Sequence, residues 1–142
     1  MSGILVVERS ATLSHLLSRT LQAAQYDKWS ELAGYGEAIE HLKQAARLGH
    51  PYRVLLLGAP ARPTREFNEL LGYLREVREP PLPVLLLAHE KTADVAAWID
   101  SREDSVFIPW AQFSRIPTAI RQLAPDAGEP VVFTDHFPRP GG

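Results

Sequence analysis

The sequence predicts an α/β domain built on a parallel sheet with helices on both faces, and three observations carry that reading. Short unbroken apolar runs recur along the chain. Stripes of apolar residues at helical spacing lie between them. The joints are short and are marked by Gly, Pro or capping residues. A strand covered by helices on both sides has no solvent face, so it reads as a continuous apolar run and not as an alternation.

The elements follow in order. Ile4-Leu5-Val6-Val7 is a short buried strand that Glu8-Arg9-Ser10 ends. Ser10 suits the N-cap of a helix, where its hydroxyl accepts from unpaired backbone N–H groups. Leu13, Leu16, Leu17, Leu21 and Ala24 then share one helical face. Lys28–Leu32 reads as a second, weaker strand and Gly34-Tyr35-Gly36 as a turn. Ala38, Ile39, Leu42 and Ala46 form the next stripe, which Gly49 and Pro51 stop. Val54–Leu57 is the third strand, followed by a loop over Gly58–Pro63. Phe67, Leu70, Leu71, Leu74 and Val77 mark the third helix. Pro80, Pro81 and Pro83 lead back to a fourth strand over Val84–Ala88. Thr92 can cap a short helix carrying Val95 and Ile99. Val106–Ile108 is the fifth strand, ended by Pro109, and Pro117 opens a last helix with Ile116, Ile120 and Leu123 inward.

Five β-α units within residues 4–123, joined by short right-handed connections, favour a doubly wound sheet. The strand order expected for five units is the flavodoxin-like 2-1-3-4-5. Residues 1–124 form this domain. Residues 125–142 are rich in Pro and Gly and read as a linker or tail, in which Val131-Val132-Phe133 can add a strand or dock on the domain. Such a tail is expected to lead to an output module in a longer regulator; a chain that stopped there would be a stand-alone adaptor.

Composition narrows the function. With 142 residues and 45% hydrophobic content the chain can bury a substantial core. A formal net charge of −2 argues against a nucleic-acid-binding module, which shows a basic excess. The absence of cysteine excludes disulfides, thiolate metal sites and thiol nucleophiles. No run approaches the roughly 20 apolar residues of a membrane span, and no leader pattern opens the chain. A cytoplasmic domain is expected.

Four segments resemble the response-regulator receiver family over roughly residues 3–124. "ILVVERS" resembles its first strand, "YRVLLLGAP" its third, "LPVLLLAHE" its fourth and "SVFIPW" its fifth. The resemblance implies a chemistry with four requirements: an acidic pair that holds a divalent metal, an aspartate that accepts phosphate, a hydroxyl that binds it, and a lysine that offsets charge. The sequence departs from each. Glu8 keeps one carboxylate, but Arg9 takes the place of the other. Gly58 stands at the phosphoacceptor, Ala88 at the hydroxyl and Ile108 at the lysine. The chain therefore resembles a degenerate receiver, the condition of receiver-like domains at the front of flagellar master regulators. The resemblance implies a regulatory domain of a bacterial signalling or transcription regulator. It works without phosphate, by protein–protein contact or dimerisation, with no catalytic residue, metal or cofactor.

Other residues open further readings. Arg9 either replaces the metal's charge by pairing with Glu8 or Asp27, or is a solvated strand-end residue. Arg62 and Arg65, at the start of the third helix, are either solvated or an anion site for a nucleotide or cyclic dinucleotide. His89 and Glu90 lie at the sheet edge where this fold class binds ligands, yet no second histidine stands at metal-ligand spacing. His15, His41, His50 and His136 are scattered. Trp98, Trp110 and Phe113 are read as interface anchors or as core. Trp98 lies roughly 60° or more from the mean direction of Val95 and Ile99 at helical spacing, so partial exposure and a dimer contact are expected.

Overall fold

The computed structural model describes residues 3–77 and 82–127. Pro80, Pro81, Val131–Phe133 and His136 lie outside the described residues. Five parallel strands, β1 (Ile4–Val7), β2 (Ser30–Leu32), β3 (Val54–Gly58), β4 (Val84–Ala88) and β5 (Ser105–Pro109), pair in the order β2-β1-β3-β4-β5. The helices are α1 (Ala11–Ala23), α2 (Tyr35–Arg47), α3 (Arg65–Glu76), α4 (Ala93–Asp100) and α5 (Ile116–Leu123). The flavodoxin-like doubly wound sheet expected from the apolar runs is the observed architecture.

Every residue of β1, β3 and β4 is buried. Alternate side chains divide between two cores. Leu5, Val7, Leu55, Leu57, Val84 and Leu86 face the layer made by α2, α3 and α4. Ile4, Val6, Val54, Leu56, Leu85 and Leu87 face the layer made by α1 and α5. Each side chain so enclosed is worth about 2–5 kcal/mol against truncation to alanine. That is why the unbroken apolar runs specify the central strands so firmly.

Caps fix the helix starts. Ser10, Thr64 and Thr92 accept from the backbone N–H groups of Leu13, Phe67 and Val95 at 3.3, 3.1 and 3.2 Å. Three local differences from the sequence reading appear. The second strand is shorter, Ser30–Leu32. The Gly34–Gly36 segment is no turn: Gly34 is the N-cap of α2, and Glu37 reaches back to the Gly34 N–H at 3.3 Å. Trp110–Arg115 forms a 3-10 segment before α5. At the other end of α2, Gly49 adopts φ +75°, a backbone conformation for which glycine carries no Cβ penalty.

The packed body continues past α5. Ala124 and Ala127 are buried in the α1/α5 layer. The Arg53 guanidinium donates to the Asp126 carbonyl at 2.6 Å and pairs with its carboxylate at 3.2 Å.

The N-terminal edge of the sheet is held by Arg102. Its guanidinium donates to the Leu74 carbonyl at 2.6 Å, the Leu82 carbonyl at 2.7 Å, the Ser105 hydroxyl at 2.8 Å and the Asp104 carboxylate at 3.1 Å. It also stacks 5.0 Å from the Trp98 ring. One planar fork thus joins the end of α3, the approach to β4 and the start of β5, a geometry that an ammonium cannot reproduce. Arg102→Ala is expected to lower unfolding stability by about 2–4 kcal/mol in urea titrations, and Arg102→Lys to recover less than half of it. A cost below about 0.5 kcal/mol for the alanine variant would show that these carbonyls find equivalent partners in water.

Candidate functional site

Ligands of open α/β sheets bind beyond the carboxyl ends of the strands. Here that edge carries Glu8 after β1, Gly58 at the end of β3, Ala88 at the end of β4 and Ile108 in β5. The register of β1 on β3, Val7 opposite Leu57, brings Glu8 beside Gly58.

Glu8 does not point to solvent. It is 7% exposed, and it is the buried charged residue among the described residues. Its Oε2 accepts from the Ser10 N–H at 2.6 Å, which ties β1 to the capped start of α1. Its Oε1 lies over Gly58, and a Cβ added there would overlap that oxygen and lie 2.7 Å from Cδ. The carboxylate of β1 therefore occupies the space that a side chain at position 58 would need. Gly58 is required for this by size, not by its φ.

Tyr35 completes the arrangement from α2. Its hydroxyl donates to the Gly58 carbonyl at 2.7 Å, and its ring meets Phe67 edge-on at 5.1 Å. Burial and the nearby Glu8 charge push the Tyr35 hydroxyl up to about 12, so it remains a donor at neutral pH. Burial likewise raises the Glu8 carboxyl above the ordinary carboxylate range. The backbone N–H groups of Ser10 and Arg9, and the charges of His89 and Arg9, offset this only in part.

Arg9 is exposed, and the ion pairs among the described residues do not include it. The pairing with Asp27 fails for a topological reason: Asp27 follows α1, at the opposite edge of the sheet. Ala88 is buried and offers no hydroxyl. Ile108 is 1% exposed and packs in the α1/α5 layer, where no lysine stands to counter an anion. Among the described residues, no three His, Asp or Glu side chains converge as metal ligands. Glu8 is one carboxylate, already engaged by Ser10 and flanked by a cation. The residues present do not fit the divalent metal that receivers hold, which needs several oxygen ligands.

The anion reading of Arg62 and Arg65 meets a similar difficulty. Arg65 pairs with Glu69 at 3.0 Å, one helical turn along α3. The crevice between α3 and α4 at this edge has a volume of about 40 Å³, and its charged lining residues are Glu90 and Asp94. His89 and Glu90 are exposed and form no ligand cluster.

The expectation for Trp98 is corrected. Trp98 is 3% exposed, its indole N–H donates to the Leu71 carbonyl at 3.1 Å, and it packs with Val95 and Ile99 against α3. In a helix of eight residues these three positions form one face, and the polar anchor on Leu71 turns the indole inward. Trp110 is also core, at 5% exposed. Phe113 is the aromatic that stays exposed, at 39%. It lies on a groove of about 850 Å³ between α1 and α5 that the sequence reading missed. Thr12, Ala23 and Ala24 are small, but α1 alone carries no signal of the groove, which exists only where they face Phe113 and Pro117.

Two measurements check the inward carboxylate. Gly58→Ala is expected to cost about 1–3 kcal/mol by forcing Glu8 out, and most of that cost should vanish in a Glu8→Ala background. Additive losses would mean that the two residues do not compete for one space. The pH dependence follows from the raised Glu8 carboxyl. The folded state holds this proton more tightly than the unfolded chain, so Glu8 contributes stability below the ordinary carboxylate range that is lost as pH rises through the raised value. Stability of Glu8→Gln, subtracted from wild type across pH 4–8, should show that decline; a flat difference would contradict it.

No protein-family model matches the chain, and no curated protein matches it. Solved structures do. A two-component response regulator from Cytophaga hutchinsonii is 12% identical over 84% of this chain and 94% of its own, with a TM-score of 0.67. A protein from Burkholderia pseudomallei described as pilus assembly-related is 15% identical, covers 89% of this chain and 94% of its own, and gives 0.66. A DNA-binding response regulator of the LuxR family from Staphylococcus aureus is 12% identical, covers 87% and 98%, and gives 0.64. With its strand order, its helices on both faces and these likenesses along nearly its whole length, the chain has the fold of response-regulator receiver domains.

Proposed function

We propose that this chain is a phosphorylation-independent, receiver-like regulatory domain that acts by binding protein and not by catalysis. The observation that carries the reading is the Glu8 carboxylate lying over Gly58. The space of the phosphoacceptor is filled from β1, and the hydroxyl and lysine positions hold Ala88 and Ile108. A receiver normally changes its partner affinity because phosphate shifts its population between two states. With that input absent, one state is favoured at all times and regulation lies in the contact itself. The response regulators among the structural neighbours support placement in signalling, including transcription control, with an output module following residues 125–142. Among the described residues, Phe113 is the aromatic best exposed for a partner contact. The alternative, a sensor of nucleotides or cyclic dinucleotides, has less support, since Arg65 is already paired and the upper crevice is small and acidic.

Incubation with acetyl phosphate and Mg²⁺, followed by intact mass measurement, should leave the mass unchanged. Stoichiometric acid-labile phosphate would sink the proposal. A nucleotide panel in thermal shift should raise the melting temperature by less than about 1 °C, whereas a ligand present at 100 times its Kd would add about 2.7 kcal/mol.

A further inference from the structure

We infer that the groove between α1 and α5 seats one amphipathic helix of a partner protein, apolar on the face laid into the groove and acidic along both flanks. The inference deepens the functional reading above, and it rests on that reading only in taking protein as what this domain binds.

The charge of this face carries the argument. Leu13 and Leu16 of α1 and Pro117 of α5 give the groove an apolar floor, with Phe113 exposed beside them. Its ionisable lining residues are His15, Arg19 and Arg121, and among the described residues no acid lines it. The bias extends beyond the groove. The chain has 17 Asp and Glu residues, yet none falls within residues 11–25 or 105–125, which hold α1, the 3-10 segment and α5. The other three helices all carry acids: Glu37 and Glu40 on α2, Glu66, Glu69 and Glu76 on α3, Asp94 and Asp100 on α4. Glu31 touches α1 through the Ser18 hydroxyl at 2.6 Å, but from β2, at the sheet edge away from α5. The ion pairs among the described residues include none of Arg19, Arg115 and Arg121. Arg115 and Arg121 donate to the neutral side chains of Gln112 and Thr118. In a chain of formal net charge −2, this one face is cationic.

Shape selects the occupant. α1 and α5 lie side by side on one face of the sheet, so the groove between them is concave. Its α1 side, from Thr12 to Ala24, is about 18 Å long at 1.5 Å per residue. A concave groove takes a ridge and not a plane. It suits a third helix of about three turns, laid with its i, i+3, i+4 and i+7 residues inward, and not a flat lipid surface. Arg19 stands on the α1 wall and Arg121 on the α5 wall, so acids on both flanks of an apolar stripe each meet a guanidinium. A second copy of this chain is disfavoured by the same charges. An isologous pair would bring Arg19 and Arg121 toward their own counterparts, and like charges facing across an interface cost affinity.

The probe is a displayed library of helical peptides of about 14 residues, selected on the full chain. Leu is fixed at i, i+3, i+4 and i+7, and Glu, Lys or Gln is allowed on the flanks. Selection should enrich Glu over Lys. A selected peptide should shift the amides of α1, residues 110–115 and α5. Arg19→Glu combined with Arg121→Glu should weaken that peptide about fivefold or more, and replacing its Glu by Lys should restore binding to the reversed chain. Both arginines are exposed, so the variant should fold. If circular dichroism shows otherwise, Arg19→Gln with Arg121→Gln decides, by loss of the preference for Glu. No enrichment, enrichment indifferent to charge, or shifts centred on another face would overturn the inference. So would groove amides that move with protein concentration alone, the sign of a second copy, or with phosphatidylserine vesicles in place of any peptide, the sign of a lipid surface. Peptides seated on another face would leave the reading of a protein-binding domain standing. Phosphorylation by acetyl phosphate would sink that reading and leave the groove result untouched.

Discussion

The arrangement at the top of the sheet depends on a competition for one small volume between two adjacent strands. Position 58 has no side chain, and Glu8 turns into the space so left. The turn is stabilised by the Ser10 N–H, a donor at the start of α1 that has no partner within its own helix. It is opposed by the cost of bringing a carboxylate out of water, which the raised Glu8 pKa reflects. The balance links β1, β3 and α1 through a single carboxyl group. Tyr35 adds α2 through the Gly58 carbonyl.

Most of the fold was legible in the sequence, and the reason lies in burial. Ile4–Val7, Val54–Leu57 and Val84–Ala88 are enclosed on both faces, so their apolar runs carry little ambiguity. The edge strand β2, with Glu31 exposed, lacks such a run, and its reading was two residues too long. The places of Gly58 and Ala88 at the ends of β3 and β4, and of Ile108 in β5, were legible too, because they close apolar runs. The inward turn of Glu8 was not. It depends on the absence of a Cβ fifty positions along the chain, and only the β1–β3 register brings the two together.

The expectation of a partly exposed Trp98 failed for a different cause. A wheel drawn from Val95 and Ile99 gives a direction but not a width, and a short helix covered on one side can bury three neighbouring positions. What settles the indole is a polar partner in another element, the Leu71 carbonyl, together with the guanidinium that covers its ring. The groove beside Phe113 escaped notice because it is a property of two helices and of the 3-10 segment between β5 and α5. Each helix alone shows an ordinary amphipathic stripe. The small residues of α1 acquire meaning only opposite Phe113 and Pro117.

The Arg102 clamp bears on the order in which the molecule assembles. Its acceptors at Leu74 and Leu82 lie 28 and 20 residues back in sequence. Closing such loops costs entropy before any contact repays it. The clamp therefore cannot exist until α3, α4 and the approaches to β4 and β5 are already near their final places. It acts as a latch on a completed half-sheet, not as a nucleus.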